Sequence, residues 1–205
     1  LFLTHEFRPS NELIYLHSLG LMDADLDGDL DLLAIQEEND DQFMLYLNDG
    51  FDNNGNPIFE QAFTYYREYG DISASRILAI ADYDNDGDQD VYVGRKYGIN
   101  WLFENQTLTG PPGDVVFNSN PEPFFIERAY DLGVDDSDVD PIGSMGYGAA
   151  WGDYDNDQDF DLYLANWGVN RLYNNDDNDF TNVADDQFLE SDELSNGVSW
   201  GDYNN

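Results

Sequence analysis

Five aspartates alternate through a nine-residue window, and that window occurs three times in the chain. It reads Asp23-Ala-Asp25-Leu-Asp27-Gly28-Asp29-Leu-Asp31, then Asp82-Tyr-Asp84-Asn-Asp86-Gly87-Asp88-Gln-Asp90, then Asp153-Tyr-Asp155-Asn-Asp157-Gln158-Asp159-Phe-Asp161. A fourth begins at Asp202-Tyr203-Asn204-Asn205. The starts are spaced by 59, 71 and 49 residues. A pattern that recurs at this period marks a repeat architecture, in which each unit is one supersecondary block stacked on its neighbours.

The repetition extends on both sides of each window. Before it stand Ile77-Leu-Ala-Ile-Ala81, Tyr147-Gly-Ala-Ala-Trp-Gly152 and Gly197-Val-Ser-Trp-Gly201. The first repeat is the least regular here, with Leu19-Gly-Leu-Met22. After the window stand Leu32-Leu-Ala-Ile35, Val91-Tyr-Val-Gly94 and Leu162-Tyr-Leu-Ala165. A third run follows at Met44-Leu-Tyr-Leu-Asn48, Trp101-Leu-Phe-Glu-Asn105 and Arg171-Leu-Tyr-Asn-Asn175, and a fourth at Pro57-Ile-Phe-Glu60, Pro123-Phe-Phe-Ile-Glu127 and Asp179-Phe-Thr-Asn-Val183. Short β-branched and aromatic runs bounded by turn residues are strand signals. Four strands in about 50 to 70 residues match a propeller blade better than a helical repeat.

The expected fold is therefore all-β: propeller-type blades of four antiparallel strands, about three with a partial fourth, in a larger propeller or an open array. The units are 1–75, 76–146, 147–194 and the start of a further one at 195–205. Residues 63–69 and 185–194 read as single helical turns. Residues 106–123, with Pro111-Pro112-Gly113, read as an inserted hairpin loop, and 134–146 as a loop between blades.

The windows predict calcium sites. Carboxylates at positions 1, 3 and 5 of a tight loop converge on one point, and glycine at position 6 supplies a turn with positive φ at little cost. A carbonyl at position 7 and a carboxylate at position 9 complete a shell of six to eight oxygens, which suits Ca²⁺ better than the stricter octahedron of Mg²⁺. The side-chain ligands expected are Asp23, Asp25, Asp27 and Asp31, then Asp82, Asp84, Asp86 and Asp90, then Asp153, Asp155, Asp157 and Asp161. Asp29, Asp88 and Asp159 are expected to give carbonyl oxygens, with their side chains outward. A fourth site is possible at Asp202. Gln158 replaces the turn glycine, and a non-glycine residue at positive φ costs roughly 1 kcal/mol. An EF-hand requires Glu at position 12 and flanking helices. Position 12 is instead Ala34, Val93 or Leu164, between strands.

Fifteen of the 33 Asp lie in these windows, within a formal charge of −37 that only 7 Lys+Arg oppose. That balance excludes the basic face that binds nucleic acid or an anionic membrane. With 41% hydrophobic and 15% aromatic residues the chain can still build a core, unlike a disordered acidic segment. There is no cysteine, hence no disulfide, thiol chemistry or thiolate metal site. No apolar run approaches the roughly 18 residues of a membrane span.

No enzyme is expected. The only histidines are His5 and His17, and Ser144 lacks the elbow glycine two residues before it. Trp151 and Trp200 share a repeat position and read as blade packing, whereas Trp167 is the better candidate for exposure. Asn105-Gln-Thr107 is an N-glycosylation sequon, expected to be exposed at the head of the 106–123 loop.

The run Gly152-Asp-Tyr-Asp-Asn-Asp-Gln-Asp-Phe-Asp-Leu-Tyr-Leu-Ala-Asn166 resembles the FG-GAP / VCBS-type repeat of integrin α-chain propellers and many secreted bacterial proteins. Ala165-Asn-Trp-Gly-Val-Asn-Arg-Leu-Tyr-Asn-Asn175 continues the resemblance, as in the cartilage-acidic-protein-like branch. The resemblance implies a seven-bladed type of β-propeller, calcium in the blade hairpins and an extracellular or cell-surface setting. It leaves the ligand open. Three functions stand: a non-catalytic adhesion or scaffold module for protein or glycan partners, a self-associating subunit of a surface fibre, or an accessory propeller of a polysaccharide-acting enzyme.

Overall fold

The computed structural model describes residues 16–36, 42–66, 74–96, 98–110, 115–119, 121–137, 146–184 and 195–201. Within them lie β1 (Leu16–Met22), β2 (Asp31–Gln36), β3 (Gln42–Phe51) and β4 (Pro57–Tyr66). Next come β5 (Ala74–Ala81), β6 (Asp90–Lys96), β7 (Trp101–Asn105), β8 (Leu108–Thr109), β9 (Val116–Phe117) and β10 (Phe125–Glu127). The last are β11 (Gly146–Gly152), β12 (Asp161–Asn166), β13 (Arg171–Asp176) and β14 (Asp179–Asn182). No helix occurs among the described residues.

The strands form three four-stranded antiparallel sheets, ordered β1-β2-β3-β4, β5-β6-β7-β10 and β11-β12-β13-β14. These are blades of the propeller type. The strands β8 and β9 form a separate two-stranded hairpin inside 106–123.

Register repeats with the sequence. In every blade the residue before the Asp window pairs with the ninth position: Met22 with Asp31, Ala81 with Asp90, Gly152 with Asp161. Each first strand carries one irregularity at the same place, between Leu16 and Ser18, Ser75 and Ile77, and Gly146 and Gly148. The weak pattern before the first window therefore still makes the same strand.

The core lies between blades. Side chains alternate across a strand, so the middle blade faces both ways. Val91, Val93, Trp101 and Phe103 join Leu33, Ile35, Phe43 and Leu45 of the first blade, while Tyr92 and Leu102 join Leu162, Leu164 and Tyr173 of the third. The rings of Phe43 and Phe103 stack at 4.5 Å and 13°.

Tryptophan closes the blades at the inner strands. The Trp151 indole donates to the Ala79 carbonyl of the preceding blade at 3.2 Å, and Trp200 donates to Ala150 at 3.0 Å, one repeat further on. A Cβ on Gly152 would fall 2.6 Å from the Trp200 ring, so this glycine is required by close approach. Trp101 is buried and Trp167 exposed, its ring 5.8 Å from that of Tyr147.

Two expectations change. Residues 63–66 continue β4 rather than turning as a helix, because Phe63 and Tyr65 alternate inward onto the first core cluster. The run 197–201 lies against β11 through Trp200 but belongs to no sheet among the described residues. The turn expected at 185–194, His5, Ser144, residues 67–69 and 138–145, and the fourth Asp window fall outside the described residues.

Candidate metal centre

Each Asp window is the turn joining the first and second strands of a blade, so the three sit at corresponding ends of the three sheets. The turn is tight because two of its positions take positive φ. Position 6 does so at Gly28 (95°), Gly87 (105°) and Gln158 (86°), as expected. Position 4 does so too, at Leu26 (61°), Asn85 (58°) and Asn156 (68°). Asn tolerates this region better than most residues, so the second and third windows held a signal that the first does not.

That geometry turns carboxylates inward. One ligand atom each from Asp23, Asp25 and Asp27 lie within 4.8 Å of one another, and the same holds for Asp82, Asp84 and Asp86. In the third loop the converging trio is Asp153, Asp155 and Asp161. Oxygens bound to one Ca²⁺ at about 2.3–2.6 Å span this separation.

Loop amides hold the carboxylates in place. The position-6 amide donates to position 1: Gly28 to Asp23 and Gly87 to Asp82 at 3.1 Å, and Gln158 to Asp153 at 3.2 Å. The position-7 amide donates to position 5: Asp29 to Asp27 at 2.8 Å, Asp88 to Asp86 at 3.1 Å, Asp159 to Asp157 at 3.0 Å. In the first two loops these bonds use one oxygen of the position-1 carboxylate. The other, Oδ1 of Asp23 and of Asp82, is buried without a hydrogen-bond partner. A buried polar atom left so is costly, and a cation at the trio would satisfy it. The donor set therefore fits a hard divalent cation.

The electrostatics agree. Burial, reinforced by neighbouring carboxylates, pushes Asp84 up to about 7 and Asp86 up to about 6. Burial likewise raises Asp25 and Asp82 above the ordinary carboxylate range. Such groups bind a proton more readily than ordinary carboxylates when no cation neutralises them.

Position 9 has a structural duty as well. Asp31 accepts from the Ala24 amide at 2.7 Å and from Asn48 at 2.8 Å. Asp90 accepts from Tyr83 at 3.1 Å and Asn105 at 2.9 Å, and Asp161 from Tyr154 at 2.8 Å and Asn175 at 2.9 Å. These buried carboxylates tie the loop start to the third strand. Burial pushes Asp31 and Asp161 up to about 6 and Asp90 well above the usual range.

Position 7 departs from expectation. Asp29 is exposed, but Asp88 is buried and accepts from the Leu108 amide. Burial pushes Asp88 up to about 8. Asp159 accepts from the Asp177 amide at 3.0 Å and from the Asn85 side chain at 2.7 Å, which links the second loop to the third. Both side chains accept from an amide in the connection that follows the third strand of their own blade.

The sequon expectation is corrected. Asn105 and Thr107 are fully buried. The Asn105 amide donates to Ala24 O at 2.9 Å and Gln89 O at 3.3 Å, and its Oδ1 accepts from Thr107 N at 3.0 Å. An oligosaccharide has no access to that nitrogen in the folded chain. His17 lies on the exposed part of β1, away from the three trios.

Residues 23–93 match the family described as FG-GAP-like repeat, a stretch that holds the first two Asp windows and the strands between them. No curated protein matches the chain.

Proposed function

We propose that this chain is a calcium-binding repeat module of the extracellular type, in which cations bound at the blade turns hold a non-catalytic scaffold for protein or glycan partners. The observation that carries the reading is the threefold acidic trio at corresponding turns, with buried, unpartnered carboxylate oxygens in two of them. Asp23, Asp25 and Asp27, then Asp82, Asp84 and Asp86, then Asp153, Asp155 and Asp161 would hold the ions. Asp31, Asp90 and Asp157 stand beside them. Bound calcium supplies positive charge and a fixed centre of coordination, with no redox step and no proton to transfer. The chain's own part is to converge the carboxylates, turn loop amides onto their second oxygens, and keep water from the buried ones.

The chemistry supports that setting. Oxygen sites on mutually repelling carboxylates fill where free calcium is abundant, as outside cells. The FG-GAP-like match over 23–93 supports the same setting, and the run 165–175 supports the cartilage-acidic-protein-like branch. No helix among the described residues is long and apolar enough to cross a membrane. The surplus of acid disfavours nucleic acid as a partner.

Calcium titration of chelated protein by calorimetry tests this reading. It predicts saturable binding by at least the three described loops, with magnesium much weaker. No heat and no calcium retained on equilibrium dialysis would overturn it.

A further inference from the structure

The loops do not stand alone in their blades. In the first two loops the residue at position 2, between the first two carboxylates of the trio, is held through both its amide and its carbonyl. Its N–H donates to the position-9 carboxylate of its own loop, as described above. Its C=O accepts from the following blade: Ala24 O from Asn105 Nδ2 at 2.9 Å, and Tyr83 O from Asn175 Nδ2 at 2.9 Å. Both asparagines are fully buried. The backbone N–H of each asparagine in turn donates to the position-9 carboxylate of its own blade, Asp90 or Asp161. One hydrogen-bonded path therefore runs from the first loop through Asn105 and Asp90 to the second, and through Asn175 and Asp161 to the third.

The same asparagine stands at 48, where among the described residues it bonds within its own blade: its Nδ2 donates to Leu30 O at 3.2 Å, its Oδ1 accepts from Gly50 N at 3.1 Å and its N–H donates to Asp31 at 2.8 Å. In the first two trios the position-2 residue lies between the first two ligands, and its carbonyl accepts from a residue 81 or 92 positions later in the chain.

We propose that Asn105 and Asn175 are positioning residues for the cation loop of the blade before their own, so that occupancy of one loop depends on packing of the next blade. This rests on the calcium reading above. Asn175 is the cleaner test, because Ala24 O also accepts from Thr107 Oγ1 at 2.9 Å and keeps a partner when Asn105 is lost.

The experiment is hydrogen exchange by mass spectrometry on the full chain across a series of free calcium concentrations. Protection is read separately for windows 82–90 and 153–161 in the wild type and Asn175→Ala. The expected result is a midpoint for window 82–90 shifted about tenfold upward, the size of one lost buried hydrogen bond, and a smaller shift for 153–161, which loses only the longer 3.3 Å bond from Asn175 Nδ2 to Phe160 O. Equal shifts in both windows, or none, would overturn the positioning role. Asn175→Ser, which keeps a donor in a smaller volume, is read the same way. If neither variant folds in saturating calcium, Asn175 is a general packing residue and the proposal is overturned. Calcium that protects neither window of the wild type would overturn the cation reading itself.

Discussion

Asp86 shows how one residue carries two opposite effects. It belongs to the second trio, and burial beside other carboxylates raises its affinity for a proton. With calcium it is a ligand, and without it a source of repulsion. Asp86→Ala should therefore lower the melting temperature in calcium by several degrees and leave the chelated protein nearly unchanged, measured by differential scanning calorimetry. Equal losses in both conditions would contradict the assignment. The pH response has a definite sign. A carboxylate with a raised folded-state pKa binds its proton more tightly folded than unfolded, so its stabilisation is present at low pH and lost as pH rises through the folded value. Asp31, Asp86 and Asp161 sit at about 6, Asp84 at about 7 and Asp88 at about 8. Chelated protein should then melt at progressively lower temperature as pH rises from about 5 to about 8. Calcium binds the ionised form, so the gain in melting temperature on adding calcium should widen over the same range. Not every residue was legible in advance. A carboxylate at position 9 serves a cation and a backbone amide alike, and spacing cannot separate them. The sequon pattern is blind to burial; the recurrence of asparagine at 48, 105 and 175, one repeat position, is the signal that would have marked a structural duty.

At the scale of the element, the turn between the first two strands is where sequence and geometry agree most closely. Alternating Asp followed by glycine fixes a tight loop, and the apolar runs on either side fix strands whose register repeats from blade to blade. The third loop departs through Gln158, at φ 86° where its equivalents are glycine, and through a trio that takes Asp161 rather than Asp157. Gln158→Gly should relieve roughly 1 kcal/mol of backbone strain. It should raise the calcium affinity of that loop severalfold in a titration, and unchanged affinity would place the difference elsewhere. The fourth strand was harder to read. Phe63, Thr64, Tyr65 and Tyr66 have no strict polar alternation, and only the neighbouring blade reveals that Phe63 and Tyr65 face the core.

Across the whole molecule, hydrophobic contact and cation sites are joined rather than separate. The apolar clusters lie between blades, and so do the indole bonds of Trp151 and Trp200 and the asparagine bonds of 105 and 175. The repeat made the blades legible, since each repeated run had to be one strand of one unit. The contacts between units were less so, because they pair residues of different repeats that no local pattern relates. Anything that binds the native state and not the unfolded chain stabilises it by mass action, so cations at the turns should stabilise the stack as a unit. The most direct measurement is the melting temperature of the wild-type chain at neutral pH, in millimolar calcium and in chelator. The account predicts a single transition that rises by at least 10 °C with calcium, a shift of a few kcal/mol for a chain of this size. A melting temperature indifferent to calcium would contradict it.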